Sequence, residues 1–438
     1  MAKSHREHDA ASWFDRIYLP VAIVSFGFLC LLAGMAIGIL KIFPYSLIRD
    51  AWVGAEAALY FVEPDDRFGW RETDQAGVAR YDPARSYNGA TLYTSSNQQK
   101  AFLIDMDGKV LHEWRMPYSA IWNDRAEVAD PVTDEHISWA DVELYPNGDL
   151  LVVYHGEDQT PYGYGLAKID KDSKLIWSYL GHVHHDVSIG EDGRIYVVTQ
   201  RIRTEPAAAL PELTVPMIED LVVVLSPSGE ELEKVSVVDA LARSPYRSVL
   251  DRFQPNSKGD HLHANDVDPV GKATAAALPF AKEGQVLVSL RNLDALALID
   301  LDLGEVVWLS QGSWRRQHDP DFVDGGRVLL FDNLGDLAAG GHSRVLELDP
   351  ATQAITWQYQ THDGEMLFSP WGANQQRLPN GNVLITETVR GRLLEVTRAG
   401  EVVWEYFNPA RDRQPEFSAV ILKAQRYAPE ELQFPFGS

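Results

Sequence analysis

The chain has 438 residues, enough to bury one large hydrophobic core or two ordinary ones. Its formal net charge of −24 argues against nucleic acid as a partner, because no basic groove could neutralise the phosphates. Its only cysteine, Cys30, excludes an intrachain disulfide and a cysteine-based metal site. With 24 prolines, 32 glycines and 10% aromatic residues, the composition favours a turn-rich β protein.

The N-terminal part of the chain predicts a membrane anchor. Residues 1–16 are polar and basic, whereas residues 17–40 are 24 positions without a charge, enough for one helix to cross a bilayer. A buried core helix is rarely so long, and no small-residue cleavage site of a signal peptide precedes Lys41. We therefore expect an uncleaved, single-pass helix in the inner membrane. The basic residues before it predict a cytoplasmic N-terminus, 1–16, and place the remainder of the chain in the periplasm.

Residues 41–88 are expected to connect this anchor to the main domain. Pro44 to Tyr60 has the pattern of a short amphipathic helix that lies on the membrane face. Asp65 to Tyr87 is polar and without periodicity, which indicates an irregular linker.

From residue 89 onward the sequence repeats, and the repeats predict the fold. Six segments alternate apolar and polar residues on both sides of a polar turn, as β-hairpins do. They are Ala101–Trp114, Leu166–Trp177, Leu221–Val235, Leu296–Trp308, Val345–Trp357 and Leu393–Trp404. A second hairpin precedes each of the last five, so one unit has four strands. We therefore predict an all-β fold over residues 89–438, a six-bladed β-propeller.

The first unit is incomplete, because a single strand at Ala90–Tyr93 precedes its hairpin. The C-terminal segment Phe417–Tyr427 alternates in the same way. We expect it to supply the missing strand and close the ring, since an open ring would leave sheet edges exposed.

Five of the 13 histidines lie near the starts of the inner hairpins of three units. They are His184, His185, His261, His263 and His318. Arg291 directly follows another inner strand, Val286–Leu290. Because the inner strands of a propeller begin and end near its central channel, these side chains are expected to converge there.

The same residues leave two cofactor-dependent interpretations open, a metal ion and a quinone. His261 with His263, and His184-His185-Asp186, are plausible imidazole and carboxylate ligands for a metal ion. Arg291 is unfavourable beside a divalent cation but useful beside an oxyanion, which favours an anionic substrate instead. A quinone is the second alternative, because the repeats resemble those of propeller quinoprotein dehydrogenases. Those proteins have more blades and commonly a vicinal cysteine pair, which this chain lacks.

Between Gly89 and Pro409 the chain resembles the bacterial arylsulfate sulfotransferase (arylsulfotransferase) family. The resemblance rests on six short motifs, each of which opens or ends an inner strand. They are His184-His185-Asp186, His263-Ala264-Asn265-Asp266, Ser289-Leu290-Arg291, Gln317-His318-Asp319, Leu330-Phe331-Asp332-Asn333 and Leu378-Pro379-Asn380-Gly381-Asn382.

The resemblance implies an enzyme that transfers a sulfuryl group from an aryl sulfate to a phenol through a sulfohistidine. By motif, His318 matches the nucleophile, His263 and His185 the assisting histidines, and Arg291 the sulfuryl-binding arginine. Three further motif residues are expected to contact the substrate: His184, Asn265 and Asn333. The resemblance implies no cofactor and no metal.

The chain also departs from better-known family members, which are soluble, have a separate N-terminal β domain and contain a disulfide. A non-catalytic propeller that serves as a scaffold, or as an accessory subunit of a membrane-protein complex, is therefore the alternative function. A His-ligated metal site in the channel is a second alternative.

Overall fold

A computed structural model describes residues 5–40, 42–45, 73–157, 159–206, 215–252, 259–336, 340–362, 364–412 and 415–436. The chain divides into two compact units, Met1–Val62 and Glu63–Ser438. The predicted amphipathic helix at Pro44–Tyr60 and the first part of the predicted linker lie largely outside the described residues.

The described part of the first unit is one long helix, His5–Leu40. Its stretch Pro20–Leu40 is long and apolar enough to cross a membrane, and none of it is buried. Phe26 and Ile39 are 70% and 73% exposed, which would be unfavourable for such a continuous apolar surface in water. The helix begins at His5, before the apolar segment, which starts at residue 17 in the sequence.

The second unit is a six-bladed β-propeller, as the repeats predict, with six sheets formed by the residues that the structure describes. From the innermost strand outward, blade 1 contains Ile421–Tyr427, Ala90–Ser95, Lys100–Ile104 and Val110–Arg115. Blade 2 contains Ile137–Leu144, Leu150–Gly156, Gly163–Ile169 and Leu175–Tyr179. Blade 3 contains Val183–Ile189, Ile195–Arg203, Met217–Leu225 and Glu231–Ser236. Blade 4 contains Ala264–Pro269, Val286–Leu290, Ala295–Asp300 and Glu305–Gln311. Blade 5 contains His318–Val323, Arg327–Asp336, His342–Leu348 and Ile355–Tyr359. Blade 6 contains Asn374–Arg377, Val383–Glu387, Arg392–Val396 and Val402–Phe407.

Short elements decorate the loops. Two helices, Val237–Arg243 and Lys272–Ala277, and a two-stranded ribbon, Thr361–His362 with Glu365–Met366, lie outside the blades. Single 3-10 turns occur at Tyr118–Ala120, Asp134–His136, Arg247–Arg252, Arg291–Leu293, Asp324–Gly326, Thr388–Arg390 and Pro429–Glu431.

The C-terminal strand closes the ring. Ile421–Tyr427 pairs antiparallel with Ala90–Ser95, with Ala90 opposite Tyr427 and Ser95 opposite Ile421. The prediction that this segment completes the first unit is confirmed. Closure joins the two ends of the domain, and it pairs the inner edge of Ala90–Ser95, which would otherwise be the exposed edge of an incomplete blade.

The predicted linker contributes to the sheet, which corrects the domain boundary at residue 89. Gly77–Tyr81 pairs antiparallel with Val402–Phe407 and forms a fifth, outermost strand in blade 6. Five residues with a glycine and an arginine among them carry too little apolar alternation to be recognised as a strand. Pairing with an edge that already exists supplies the stabilisation that the local sequence lacks.

The core lies between neighbouring blades, so most central strands are buried on both faces. Val383–Glu387 and Ala90–Ser95, for example, are buried along their whole length. The tryptophans that end the outer hairpins join adjacent blades: the indole N–H of Trp114 donates to Gly148 O at 2.9 Å, and that of Trp404 donates to Met106 O at 2.9 Å. Since a fully buried indole needs an acceptor, these contacts help to set the spacing between blades.

Replacing Arg426 with leucine should lower the free energy of unfolding by about 3–5 kcal/mol, because one partner of a buried ion pair is removed. The Arg426 side chain is 0% exposed and forms an ion pair with the equally buried Glu395. Its Nε donates to Thr91 Oγ1 at 2.9 Å, and its guanidinium lies 4.4 Å from the ring centroid of Trp404. Denaturant unfolding followed by tryptophan fluorescence measures the change.

Arg85→Leu is the matched control, because the Arg85–Glu401 ion pair is exposed and contributes little. Adding Glu395→Leu to the Arg426→Leu variant should recover part of the loss. An equal effect of the two single replacements would contradict the argument.

Candidate active site

A cavity of about 280 Å³ lies at the end of the central channel where the inner strands begin. All four residues expected to be catalytic, His185, His263, Arg291 and His318, line this cavity. They come from blades 3, 4 and 5. Blade 4 supplies two of them because its second strand ends where its inner strand begins: the Arg291 N–H donates to His263 O at 3.2 Å. The volume suits a small substrate rather than a polymer.

A backbone irregularity aims these side chains. His185, His263 and Asp319 have positive φ values of 58°, 51° and 53°. At or directly after these residues the pairing of the inner strand with its neighbour shifts register, between His184 and Val187, between Ala264 and Val267, and between His318 and Asp321. A bulge of this kind turns a side chain away from the regular pleat. Left-handed conformations are uncommon for residues with a Cβ, although Asn, Asp and His adopt them more readily than most.

The ring of His318 is held in one tautomer. Its Nδ1 lies 2.8 Å from Asn333 Oδ1 and 3.1 Å from Arg316 O. The Asn333 amide nitrogen donates to Ser369 O and Gly372 O at 2.7 and 2.8 Å, so its oxygen is the atom that faces the imidazole. Two acceptors around Nδ1 require the proton there, which leaves a lone pair on Nε2.

His318 is also kept neutral. It is 7% exposed, and burial together with the adjacent charge of Arg291 lowers the pKa of His318 from 6.5 to about 3. A neutral imidazole with a free lone pair is a competent nucleophile. Asn333 does not line the cavity, so its contribution to this arrangement is to orient His318.

His263 forms a dyad with Asp260, a residue that the sequence pattern does not single out. The Nδ1 of His263 lies 2.5 Å from Asp260 Oδ2. The carboxylate fixes the proton on Nδ1 and orients the ring, which is how a histidine is prepared to give and take protons. His263 is therefore the best placed general acid and base in the cavity.

His185 belongs to a cluster of buried imidazoles. The backbone N–H of His185 donates to His155 Nε2 at 3.1 Å. Its ring Nδ1 lies 2.8 Å from Nδ1 of His184, and its ring centroid is 4.9 Å from that of His263. Burial lowers the pKa of each of His155, His184 and His185, to about 3 for His155. His184 lies behind His185 and does not line the cavity, and neither does His261.

Arg291 supplies a positive charge to the cavity, and the carboxylates of Asp260 and Asp294 are near enough to favour that charge without pairing with it. None of the ion pairs formed within the described ranges involves Arg291, and its Nη1 donates to Asn292 Oδ1 at 3.1 Å. Burial and the nearby Arg316 lower the pKa of Arg291 from 12.5 to about 10, so the group is still charged at neutral pH. A buried guanidinium without a carboxylate partner is suited to bind an oxyanion.

Other residues of the cavity were not expected from the sequence. These are His155 and Trp371. Asn265, which the sequence did predict, also lines the cavity, and its amide nitrogen donates to Gln317 O at 2.9 Å. His155 lies at the end of the second strand of blade 2, the place that corresponds to Arg291 in blade 4. Because the two residues share this position in the repeat, the sequence could have predicted that His155 lies at the cavity. Trp371 lies in a loop, where no periodicity marks it.

The geometry does not assemble the His-ligated metal site that the sequence also allowed. Within the part of the chain that the structure describes, the group with metal-ligand spacing is Asp186, Asp266 and Asp319, which contains no histidine. The cavity instead combines a neutral nucleophilic nitrogen, an imidazole–carboxylate dyad and a guanidinium that forms no ion pair with the described carboxylates. Fold and site together define a β-propeller with the polar groups needed to transfer an anionic group.

The comparison with protein families identifies the class. The model of the arylsulfotransferase (ASST) family matches residues 141–409, which is more than half of the chain. The chain belongs to the arylsulfotransferase family, and this membership supports an arylsulfotransferase-type function. No curated relative matches the chain.

Two solved structures are similar to the chain to different degrees. A protein of unknown function from Bacteroides caccae has a TM-score of 0.50 and 16% identity, and the match covers 78% of this chain and 99% of that one. A streptogramin B lyase matches with a TM-score of 0.42 and 10% identity, over 81% of this chain and 94% of that one. At 16% identity the likeness to the Bacteroides caccae protein concerns the fold alone.

The ring of His318 should stay neutral, with its proton on Nδ1, from pH 5 to pH 8. Because the folded-state pKa of about 3 lies below the ordinary 6.5, His318 contributes stability that is complete above pH 6.5 and is lost as the pH falls toward 3. Nitrogen NMR shifts of labelled imidazoles, assigned with a His318→Gln variant, measure both properties. A midpoint near pH 6.5, or a proton on Nε2, would contradict the tautomer argument.

Proposed function

We propose that the protein transfers a sulfuryl group from an aryl sulfate to a phenolic acceptor through a sulfohistidine on His318. The observation that carries this proposal is that the Nε2 lone pair of His318 lies in the same cavity as Arg291, a guanidinium that forms no ion pair with the described carboxylates. Arg291 binds the sulfuryl oxygens, and the neutral imidazole attacks sulfur. Family membership supports the same class of reaction.

In the first half-reaction the Nε2 lone pair forms the N–S bond. The electrons of the S–O bond to the aryl group leave with the phenolic oxygen, which takes a proton from His263. Positive charge develops on the His318 ring as the N–S bond forms. The carbonyl oxygens of Asn333 and Arg316 accept from its Nδ1–H and stabilise that charge.

In the second half-reaction the acceptor phenol occupies the place that the product has left. His263 removes the phenolic proton, the oxygen attacks sulfur, and the N–S electrons return to Nε2 of His318. His185, kept neutral by its buried surroundings, lies beside His263 and contacts the transferred group without adding a charge. One set of groups therefore serves both directions, as an exchange between two phenols requires.

The test is a burst experiment with a chromogenic aryl sulfate. Without acceptor, the purified protein should release about one phenol per chain and stop, with the sulfuryl mass on the peptide that contains His318. Adding a second phenol should restore turnover and produce its sulfate ester. A protein that neither releases phenol nor gains mass would support the scaffold function instead.

We further propose that Pro20–Leu40 anchors the protein in the inner membrane with the propeller in the periplasm. The exposed apolar helix and the basic residues before it support this orientation. Protease added to intact spheroplasts should digest the propeller, while a cytoplasmic marker protein survives. Protection of the propeller until the membrane is permeabilised would reverse the orientation.

A further inference from the structure

The histidine cavity is also lined by a ring of six side chains, one from each inner strand. This ring consists of Asp141, Asp186, Asp266, Asp319, Asn374 and Lys423. Lys423 Nζ lies 3.2 Å from Asp141 Oδ1 and 3.7 Å from an oxygen of each of Asp186 and Asp319. Successive side chains of a strand alternate, so the next residues on the same face follow two positions later. Three of those are also acidic: Glu143, Asp268 and Asp321.

Most members of the ring join one blade to the next. Asp141 Oδ2 accepts from the Val187 N–H at 2.9 Å, and Asp186 Oδ2 accepts from the Val267 N–H at 3.0 Å. Asp319 Oδ2 accepts from the Gln375 N–H at 2.8 Å. In each case the donor is the residue that directly follows the ring residue of the next blade. The repeated bond compensates a carboxylate for the loss of water.

Asp266 breaks this pattern because of a proline. In blades 3 and 4 the residue that follows the ring aspartate is Val187 or Val267, and its N–H supplies the bond. In blade 5 that residue is Pro320, which has no N–H to donate to Asp266. Asp266 is 3% exposed, and its Oδ1 has no hydrogen-bond partner within the described structure.

The unpaired carboxylate faces two others. Single oxygen atoms of Asp186, Asp266 and Asp319 all lie within 4.8 Å of one another. Ligands around a Ca²⁺ or Mg²⁺ ion with bonds of about 2.0–2.6 Å are separated by distances of this order. One ammonium, from Lys423, faces seven carboxylates in the two layers, and it lies closest to Asp141. The three aspartates therefore retain an excess of negative charge.

We propose that Asp186, Asp266 and Asp319 bind a hard divalent cation, Ca²⁺ or Mg²⁺, in the central channel. Three carboxylate oxygens without nitrogen or sulfur ligands select this class of ion over zinc or copper. Water in the adjoining cavity, which all three aspartates line, completes the coordination.

The site would have a structural role next to the reacting groups. Asp186 and Asp319 directly follow His185 and His318, and both pairs lie in the bulges that aim the imidazoles. An ion that links blades 3, 4 and 5 would hold these bulges at a fixed separation. The inference does not depend on the reaction proposed above, because its readouts are metal content, binding and stability.

The experiment uses the full chain in detergent. Metal content is measured first by mass spectrometry of the protein as purified; the protein is then stripped with a chelator, and Ca²⁺, Mg²⁺ and Mn²⁺ are titrated separately by calorimetry. We expect one ion per chain and a rise in Tm on reloading, because an ion that binds only the folded state stabilises it. Asp266→Asn should weaken binding by at least about tenfold, since it removes one charged ligand.

Two further variants keep the proposal testable if Asp266→Asn folds poorly. Pro320→Ala supplies the missing N–H to Asp266 and should also weaken binding. Asp220→Asn is the matched control: Asp220 is an equally buried carboxylate outside the channel ring whose Oδ2 accepts from the Ala264 N–H at 3.0 Å, a bond that an amide oxygen retains. Its affinity for the ion should be unchanged. No bound ion in the wild type at millimolar metal, or equal binding by the wild type and Asp266→Asn, would overturn the proposal.

Discussion

His318→Ala should lower the rate of sulfuryl transfer by at least about 10⁴-fold, because the nitrogen that forms the covalent intermediate is removed. The burst of phenol and the sulfuryl mass on the protein should both disappear. The fold should survive, since the main loss is the hydrogen bond to Asn333, worth about 1–3 kcal/mol when its oxygen is left buried and unpaired. Initial rates with a chromogenic aryl sulfate and thermal unfolding measure the two effects separately.

His261→Ala is the control for His318→Ala. His261 is close in sequence to the dyad but does not line the cavity, so its replacement should leave turnover close to that of the wild type. Turnover that persists in His318→Ala would contradict the covalent mechanism. Loss of the burst in both variants would mean that the assay reports folding rather than chemistry.

Arg291→Lys should reduce kcat by about 10²–10³-fold with a smaller change in KM, because charge on the sulfuryl oxygens changes most in the transition state. A lysine keeps the charge but presents a single ammonium in place of the planar fork of the guanidinium. With its burial and its lack of a carboxylate partner, Arg291 has little else to stabilise. Steady-state kinetics in both kcat and KM are the measurement.

Arg316→Lys is the matched control, because Arg316 lies beside Arg291 but its side chain is not part of the cavity wall. It keeps the charge and should leave kcat nearly unchanged. A rise in KM with an unchanged kcat in Arg291→Lys would assign Arg291 to ground-state binding alone. Equal losses in the two variants would show that the effect of Arg291→Lys is not specific to a guanidinium in the cavity.

The sequence predicted the features that depend on local patterns. The alternation within each hairpin is a property of about a dozen consecutive residues, so six repeats were enough to count the blades. The closing strand was found for the same reason, because Ile421–Tyr427 alternates as clearly as the strands it joins. The four cavity residues were located because the ends of inner strands meet at the channel in any closed ring.

Features that depend on a neighbouring blade could not be predicted in this way. Gly77–Tyr81 becomes a strand only because the edge of Val402–Phe407 is present. The tautomer of His318 depends on Asn333, and the orientation of Asn333 depends in turn on the carbonyls of Ser369 and Gly372 in the next unit.

The sequence by itself determined a six-bladed ring, an apolar N-terminal helix and the positions of the histidines and Arg291. Only the tertiary structure decided how the polar groups are paired: His263 with Asp260, Arg291 with none of the described carboxylates, and Asp266 with no backbone donor because Pro320 follows Asp319. The physical reason is that alternation and turn chemistry act over a few neighbouring residues. Hydrogen bonding and charge compensation in a buried channel depend on whichever blade closure places alongside.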